Sequence, residues 1–231
     1  MMMKRTVRLS PAAARLVRDA LDSKLMLGFV IVNGIYYALL LVSSVMDGSA
    51  MSLGLVSILC QGFITAESII LYQRKESRNL KHLSVFCLIG MIVTLALCVF
   101  LGAVVMTLNM EYSAKTEEIM RIWAEADIAN GMPAMIATVA AAGVGGIEML
   151  FLWKALGMCA NVMEHRDTTM RNWFLPAAVL SGLYALVLLA IDVIWPSGLV
   201  SVIASLVCVA RESLLAALLV QTARQYQASI R

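Results

Sequence analysis

Charge is scarce in this chain. Of its 231 residues only 14% are Asp, Glu, Lys or Arg and 61% are apolar, whereas a soluble domain carries about 25% charged and about 45–50% apolar residues. A water-facing surface cannot be covered from so small a supply of charge, so the chain belongs to the membrane class. Histidine is almost missing: His82 and His165 fall in separate polar segments. The five cysteines, Cys60, Cys87, Cys98, Cys159 and Cys208, are odd in number and contain no CxxC pair, which argues against a disulfide framework and a zinc site. There is no Walker loop, no GxSxG and no HExxH, and no nucleophile and base stand at a telling spacing, so catalysis is the less favoured class and neither cofactor nor metal is expected. A net charge of +3 is too small to imply nucleic acid.

Long apolar runs are abundant. Crossing a bilayer takes about 20 mostly apolar residues in a helix, because each backbone N–H and C=O must be paired within the segment. Six runs qualify: 25–46, 52–72, 83–108, 132–158, 173–195 and 199–222. The reading is an all-α polytopic membrane protein with six transmembrane helices in three hairpins and an amphipathic N-terminal helix. Its parts are a leader at 1–24, a membrane domain at 25–222 with one long external loop at 109–131, and a tail at 223–231. The first run is about twice the length of a signal-peptide core and is read as an uncleaved helix.

Basic residues set the orientation, since short loops rich in Lys and Arg stay on the cytoplasmic side. Arg15, Arg18 and Lys24 precede the first run; Arg74, Lys75, Arg78 and Lys81 follow the second; Arg166 and Arg171 follow the fourth; and Arg224 and Arg231 follow the sixth. The alternate connections hold Asp47, the acidic stretch 111–127 and Pro196-Ser-Gly198. Both termini are therefore expected in the cytoplasm of a plasma-membrane protein. Ser10-Pro11 opens a helix in which Leu16, Val17, Ala20 and Leu21 alternate with Arg15, Arg18, Asp19 and Asp22, a pattern suited to the inner leaflet or to a solvated leader. In the external loop Ile119, Ile122, Trp123 and Ala126 lie opposite Glu118, Arg121 and Glu125, as in a surface helix or a lid.

Within the spans, Asn33 and Gln61 are polar and should seek partners on neighbouring helices. Asn130 caps and Pro133 opens the fourth span, where Ala134, Thr138, Ala142 and Gly146 recur every four residues beside Ala137, Ala141 and Gly145. Small residues at this spacing let another helix approach closely and place this helix at the centre of the bundle. Gly143-Val-Gly-Gly146 serves close packing or permits a kink.

Three acids stand inside apolar text: Glu67, Glu148 and Glu212, the last next to Arg211. A charge in the bilayer costs about 2.5–3.5 kcal/mol on insertion scales, so such groups usually face the bundle interior or a wet cavity. One reading has the three carboxylates converge with Arg211 on a polar cavity open to the cytoplasm, fit for proton coupling or cation binding. The other has each Glu satisfied locally or snorkelling to the interface. Arg211 is expected to pair with Glu67 or Glu148, because adjacent helix positions do not face one another. Short similarities, Ala66-Glu67-Ser68, Ile147-Glu148-Met149 and Arg211-Glu212-Ser213, hint at three repeated hairpins.

The layout of leader, six spans and a basic loop after the second resembles in topology alone the membrane subunits of some ABC exporters. That resemblance implies a cytoplasmic ATPase docking on Arg74, Lys75, Arg78 and Lys81. The functional expectation is a membrane transport component, a small carrier or such a permease subunit, with lipid as its surroundings and a homo-oligomer allowed; the alternative is a non-transporting sensor, scaffold or immunity-type protein.

Overall fold

The computed structural model describes residues 11–46, 52–114, 128–165, 173–194 and 199–230. They form seven helices and no strand: α1 (Pro11–Leu21), α2 (Lys24–Met46), α3 (Ser52–Arg74), α4 (Ser77–Ala114), α5 (Ile128–Met163), α6 (Phe174–Ile194) and α7 (Leu199–Ile230). Helices α2 to α7 are each long and apolar enough to cross a membrane, the make-up of a multi-pass membrane protein. The surface helix expected around Trp123, the Pro196 turn, Asp47, Arg166 and Arg171 lie outside the described residues.

Polarity is distributed inside out. Leu199, Val99 and Met106 are more than 70% exposed, whereas Asn33 and Glu212 are 1% exposed. In water that arrangement would forfeit burial of large side chains and strand polar groups; in hydrocarbon the outer residues cost nothing and the polar ones must be enclosed.

Each spanning helix packs against its two neighbours in sequence, and α7 packs back on α2. The result is a closed ring in which no hairpin stands apart as a unit. Contacts run in opposite directions along each pair. Asn33 meets Thr65 on α3, and on α5 Ser84 meets Trp153 while Cys98 meets Val139. Glu148 meets Ser181 on α6, and Gly28 meets Leu214 on α7. Inward positions recur at helical spacing: Met26, Phe29 and Asn33 on α2, Gln61, Ile64, Ser68 and Leu71 on α3, and Leu80, Leu83 and Cys87 on α4.

Helix α5 approaches its neighbours on both sides closely. A Cβ at Gly146 would lie 2.6 Å from Leu95 Cδ2 of α4, and one at Gly145 would lie 2.9 Å from Tyr184 of α6. The seam is carried by Gly145, Gly146 and buried Ala141, with Ala142 half-buried. Thr138 is exposed and the side chain of Ala134 lies outside the described residues, so the ladder does not continue as a buried stripe toward the start of α5. That helix begins at Ile128, and Asn130, the expected cap, is helical while Pro133 lies inside the helix. Its missing N–H lies in the second turn and forgoes one backbone bond, that to the Ala129 carbonyl.

Helix α1 crosses the basic end of the ring and packs on α5 and α7. Ala13, Ala14, Val17, Ala20 and Leu21 are buried, while Arg15, Arg18, Asp19 and Asp22 are exposed. Ser23 joins it to α2: its hydroxyl donates to the Ala20 carbonyl at 2.7 Å and accepts from Met26 N–H at 3.3 Å, an N-cap for the next helix. At the α3–α4 corner Lys75 adopts φ 52°, a left-handed conformation that costs a non-glycine residue about 1–2 kcal/mol. An ion pair with Asp22 holds it there and ties the corner to the end of α1.

Candidate functional site

The ring encloses a cavity of about 120 Å³. Toward the basic end its walls are apolar, with Phe29, Leu80, Leu152, Leu218 and Phe174 roofed by Val17, Ala20 and Leu21 of α1. At the other end Asn33, Gln61, Glu148, Arg211 and Glu212 share one lining.

Arg211 and Glu212 are adjacent on α7, 7% and 1% exposed. Arg211 Nε donates to Glu212 Oε1 at 2.7 Å, and Nη2 reaches the same oxygen. The guanidinium also lies 4.3 Å from the centroid of the Tyr36 ring on α2 and 3.8 Å from Cys208 Sγ. Ser181 Oγ of α6 donates to Glu148 Oε1 at 2.7 Å, and Glu148 of α5 and Glu212 of α7 line the same cavity. Glu212 Oε2 is buried and has no hydrogen-bond partner among the described residues. The guanidinium is thus paired with Glu212, while Glu148 is held by the Ser181 hydroxyl.

A neutral chain completes the lining. Gln61 Nε2 donates to Asn33 Oδ1 at 3.1 Å, Asn33 Nδ2 donates to Thr65 Oγ1 at 3.1 Å, and Thr65 Oγ1 donates to the Gln61 carbonyl at 2.8 Å. Each amide thus satisfies the next, as polar groups in hydrocarbon must.

Five of the six residues picked out as candidates come together here. Glu67 does not: it is buried on the α3–α4 seam, with Oε1 3.4 Å from His82 Nδ1, and is absent from the cavity lining. The reason lies in the length of α4, which starts at Ser77 rather than near residue 83 and so makes His82 a helical residue opposite Glu67 rather than a loop residue. Arg211 likewise departs from the expected partners Glu67 and Glu148 by folding back on Glu212. Nor do the aligned positions of the suggested repeat share surroundings, since Ser68 is buried and Ser213 exposed.

Ser181, Thr65 and Tyr36 belong to the cluster and were not among the candidates. Ser181 left a signal, a hydroxyl within the apolar run 173–195, whereas Tyr36 in Tyr36-Tyr37 reads as an ordinary aromatic. The described residues hold no group of three or more His, Cys, Asp or Glu able to bind a metal ion. Asp192, near the far end of α6, accepts from Ser205 well away from the cluster in sequence. Lengthening of α5 to Met163 puts Glu148 15 residues, about 22 Å of helix, from the basic end, deeper than the run 132–158 implies. Comparison with protein-family models, with curated proteins and with solved structures finds no match for this chain.

Proposed function

We propose that this protein is a small carrier of the plasma membrane, with both termini cytoplasmic, in which Glu148 and Glu212 accept a proton or small cation from a cavity that opens at the basic end. The observation that carries this reading is the unmatched carboxyl chemistry inside a closed ring: Glu212 Oε2 lacks a partner in a cavity that also contains Glu148. With both acids ionised and Arg211 charged the cluster has one excess negative charge. A low-dielectric interior favours balance, so one positive ligand fits there. On this reading α1, an amphipathic helix at the inner interface, is the element that closes the cytoplasmic mouth of the ring.

Coupling to a cytoplasmic ATPase is the weaker form. Of the four basic residues expected to dock it, Lys75 pairs with Asp22 and Lys81 with Glu164 at 2.5 Å, which leaves Arg74 and Arg78. A non-transporting scaffold draws support from the two acids that do have local bases, Glu67 beside His82 and Glu212 beside Arg211.

The deciding experiment reconstitutes the purified protein in liposomes and follows proton and monovalent-cation flux. Wild-type flux abolished in Glu148→Gln and Glu212→Gln but kept in Asp19→Asn, an exposed acid of α1, is the expected result. Flux that persists in both glutamine variants, or no flux in the wild type, removes the carrier reading.

A further inference from the structure

A second concavity lies at the basic end, outside the ring. It is a cleft of about 560 Å³ lined by Arg18 of α1, Arg74 at the end of α3, Lys75 and Glu76 of the corner, Ser77 and Arg78 opening α4, and Met163 ending α5. Four cations face one carboxylate, and Lys75 is the member already engaged, with Asp22. Arg18, Arg74 and Arg78 are exposed, and among the described residues none of the three makes an ion pair.

Their convergence is built rather than incidental. The left-handed turn at Lys75 reverses the chain within two residues and sets Arg74 and Arg78 on either side of one corner. The Asp22–Lys75 ion pair then brings the end of α1, and Arg18 with it, to the same place. The fold thus accepts both a left-handed lysine and mutual repulsion of three arginines. A group with several anionic oxygens offsets that repulsion, and guanidinium forks match phosphate oxygens well. The first N–H groups of α4, which has 38 residues, open at the corner and add their dipole.

We infer that this cleft binds the phosphate of an anionic phospholipid headgroup. The position selects a lipid over a soluble phosphate: the membrane spans Val56–Arg74 and Ser77–Thr107 end and begin at the cleft, at the level where headgroups lie. Met163 supplies an apolar edge on which the glycerol and first acyl carbons rest. A bound phosphate bridges Arg18 to the α3–α4 corner beside the Asp22–Lys75 pair. The headgroup therefore also fastens α1 across the mouth of the cavity. This inference does not rest on transport, and its test measures binding alone.

The test uses the full chain in phosphatidylcholine nanodiscs and titrates a fluorescent phosphatidic acid, read by anisotropy. Arg18→Gln, Arg74→Gln and Arg78→Gln should each weaken binding about five- to tenfold, as expected for one interfacial cation. Arg15→Gln, which removes an equal charge from the exposed side of α1 outside the cleft, should change it less than twofold, as a surface charge not contacting the ligand does. Helical content by circular dichroism confirms that each variant is folded. Equal weakening by Arg15→Gln would mean a diffuse basic surface and no site. Displacement of the lipid by inorganic phosphate at matching concentrations would overturn the lipid assignment, as would a wild type that does not distinguish phosphatidic acid from phosphatidylcholine.

Discussion

Replacing Arg211 by methionine tests whether the interior cluster is a charge assembly or a set of ordinary hydrogen bonds. The two accounts give different magnitudes. In lipid, interhelical hydrogen bonds are worth about 0.6 kcal/mol on average, because the separated helices also find partners. Arg211 is more than that: it serves Glu212 Oε1 through two nitrogens and lies over the Tyr36 ring, in a place only 7% exposed. Removing one member of a buried ion pair costs about 3–5 kcal/mol, since the partner charge is stranded, and a desolvated cation–π contact adds up to about 2 kcal/mol. Arg211→Met alone should therefore lose about 3–5 kcal/mol or slightly more. The double variant Arg211→Met with Glu212→Met strands nothing and leaves Glu148 on Ser181. Its loss should be smaller, about 1–2 kcal/mol, so the second substitution restores stability. Unfolding by SDS in mixed micelles, followed by circular dichroism, measures both. A single variant within 1 kcal/mol of wild type, on the order of one hydrogen bond, refutes the reasoning, as does a double variant no more stable than the single.

Two further expectations concern packing and closure. Gly145→Ala drives a methyl to 2.9 Å from the Tyr184 ring and should cost about 1–3 kcal/mol by overpacking, while Gly34→Ala, with nothing within 4 Å, should be neutral or gain up to about 1 kcal/mol; the same SDS titration checks both, and equal effects would deny that α5 and α6 are in close contact. Val17→Asp puts a charge on the buried face of α1 that roofs the cavity, so in a variant whose sole cysteine is Cys159, a cavity-lining thiol, a water-soluble maleimide should react about tenfold faster, and an unchanged rate would show that α1 is not the closure.

The spanning helices were legible because hydrocarbon imposes one rule, an unbroken apolar stretch of sufficient length, and that rule is written locally. Their ends were less so. Ser77, Arg78, Asn79 and Lys81 are polar or basic, yet they are helical, because a helix leaving the apolar layer keeps its own hydrogen bonds and needs no unbroken apolar run to continue. Placing His82 outside the span followed from reading polarity as the end of the helix. Asn33 and Gln61 could be named in advance, since an amide in hydrocarbon must find a partner, but which partner depends on the register between α2 and α3, and nothing local encodes that. The glycines beside Glu148 were legible as a close-approach surface; that Gly145 and Gly146 serve two different neighbours, Tyr184 of α6 and Leu95 of α4, follows only from the ring.

Closure into a ring also explains why Arg211 and Glu212 defeat the rule that adjacent helix positions do not meet. Consecutive residues project about 100° apart, which separates them on a helix that has one buried side. Helix α7 has α6 on one side and α2 on the other, with the cavity between, so a wedge wide enough for two consecutive side chains is enclosed. Arg211 lies over Tyr36 of α2 while Glu212 shares the cavity lining with Glu148 of α5, and the long guanidinium arm reaches back to its neighbour. Once Arg211 is turned to its own neighbour it is no longer the counter-ion of Glu148, whose hydrogen bond comes from the neutral Ser181. Glu67, with His82 beside it across a helix seam, has a local base; Glu148 has only a hydroxyl and an acid. Of the three carboxyl groups, Glu148 is thus the one that has no ion pair with a base among the described residues.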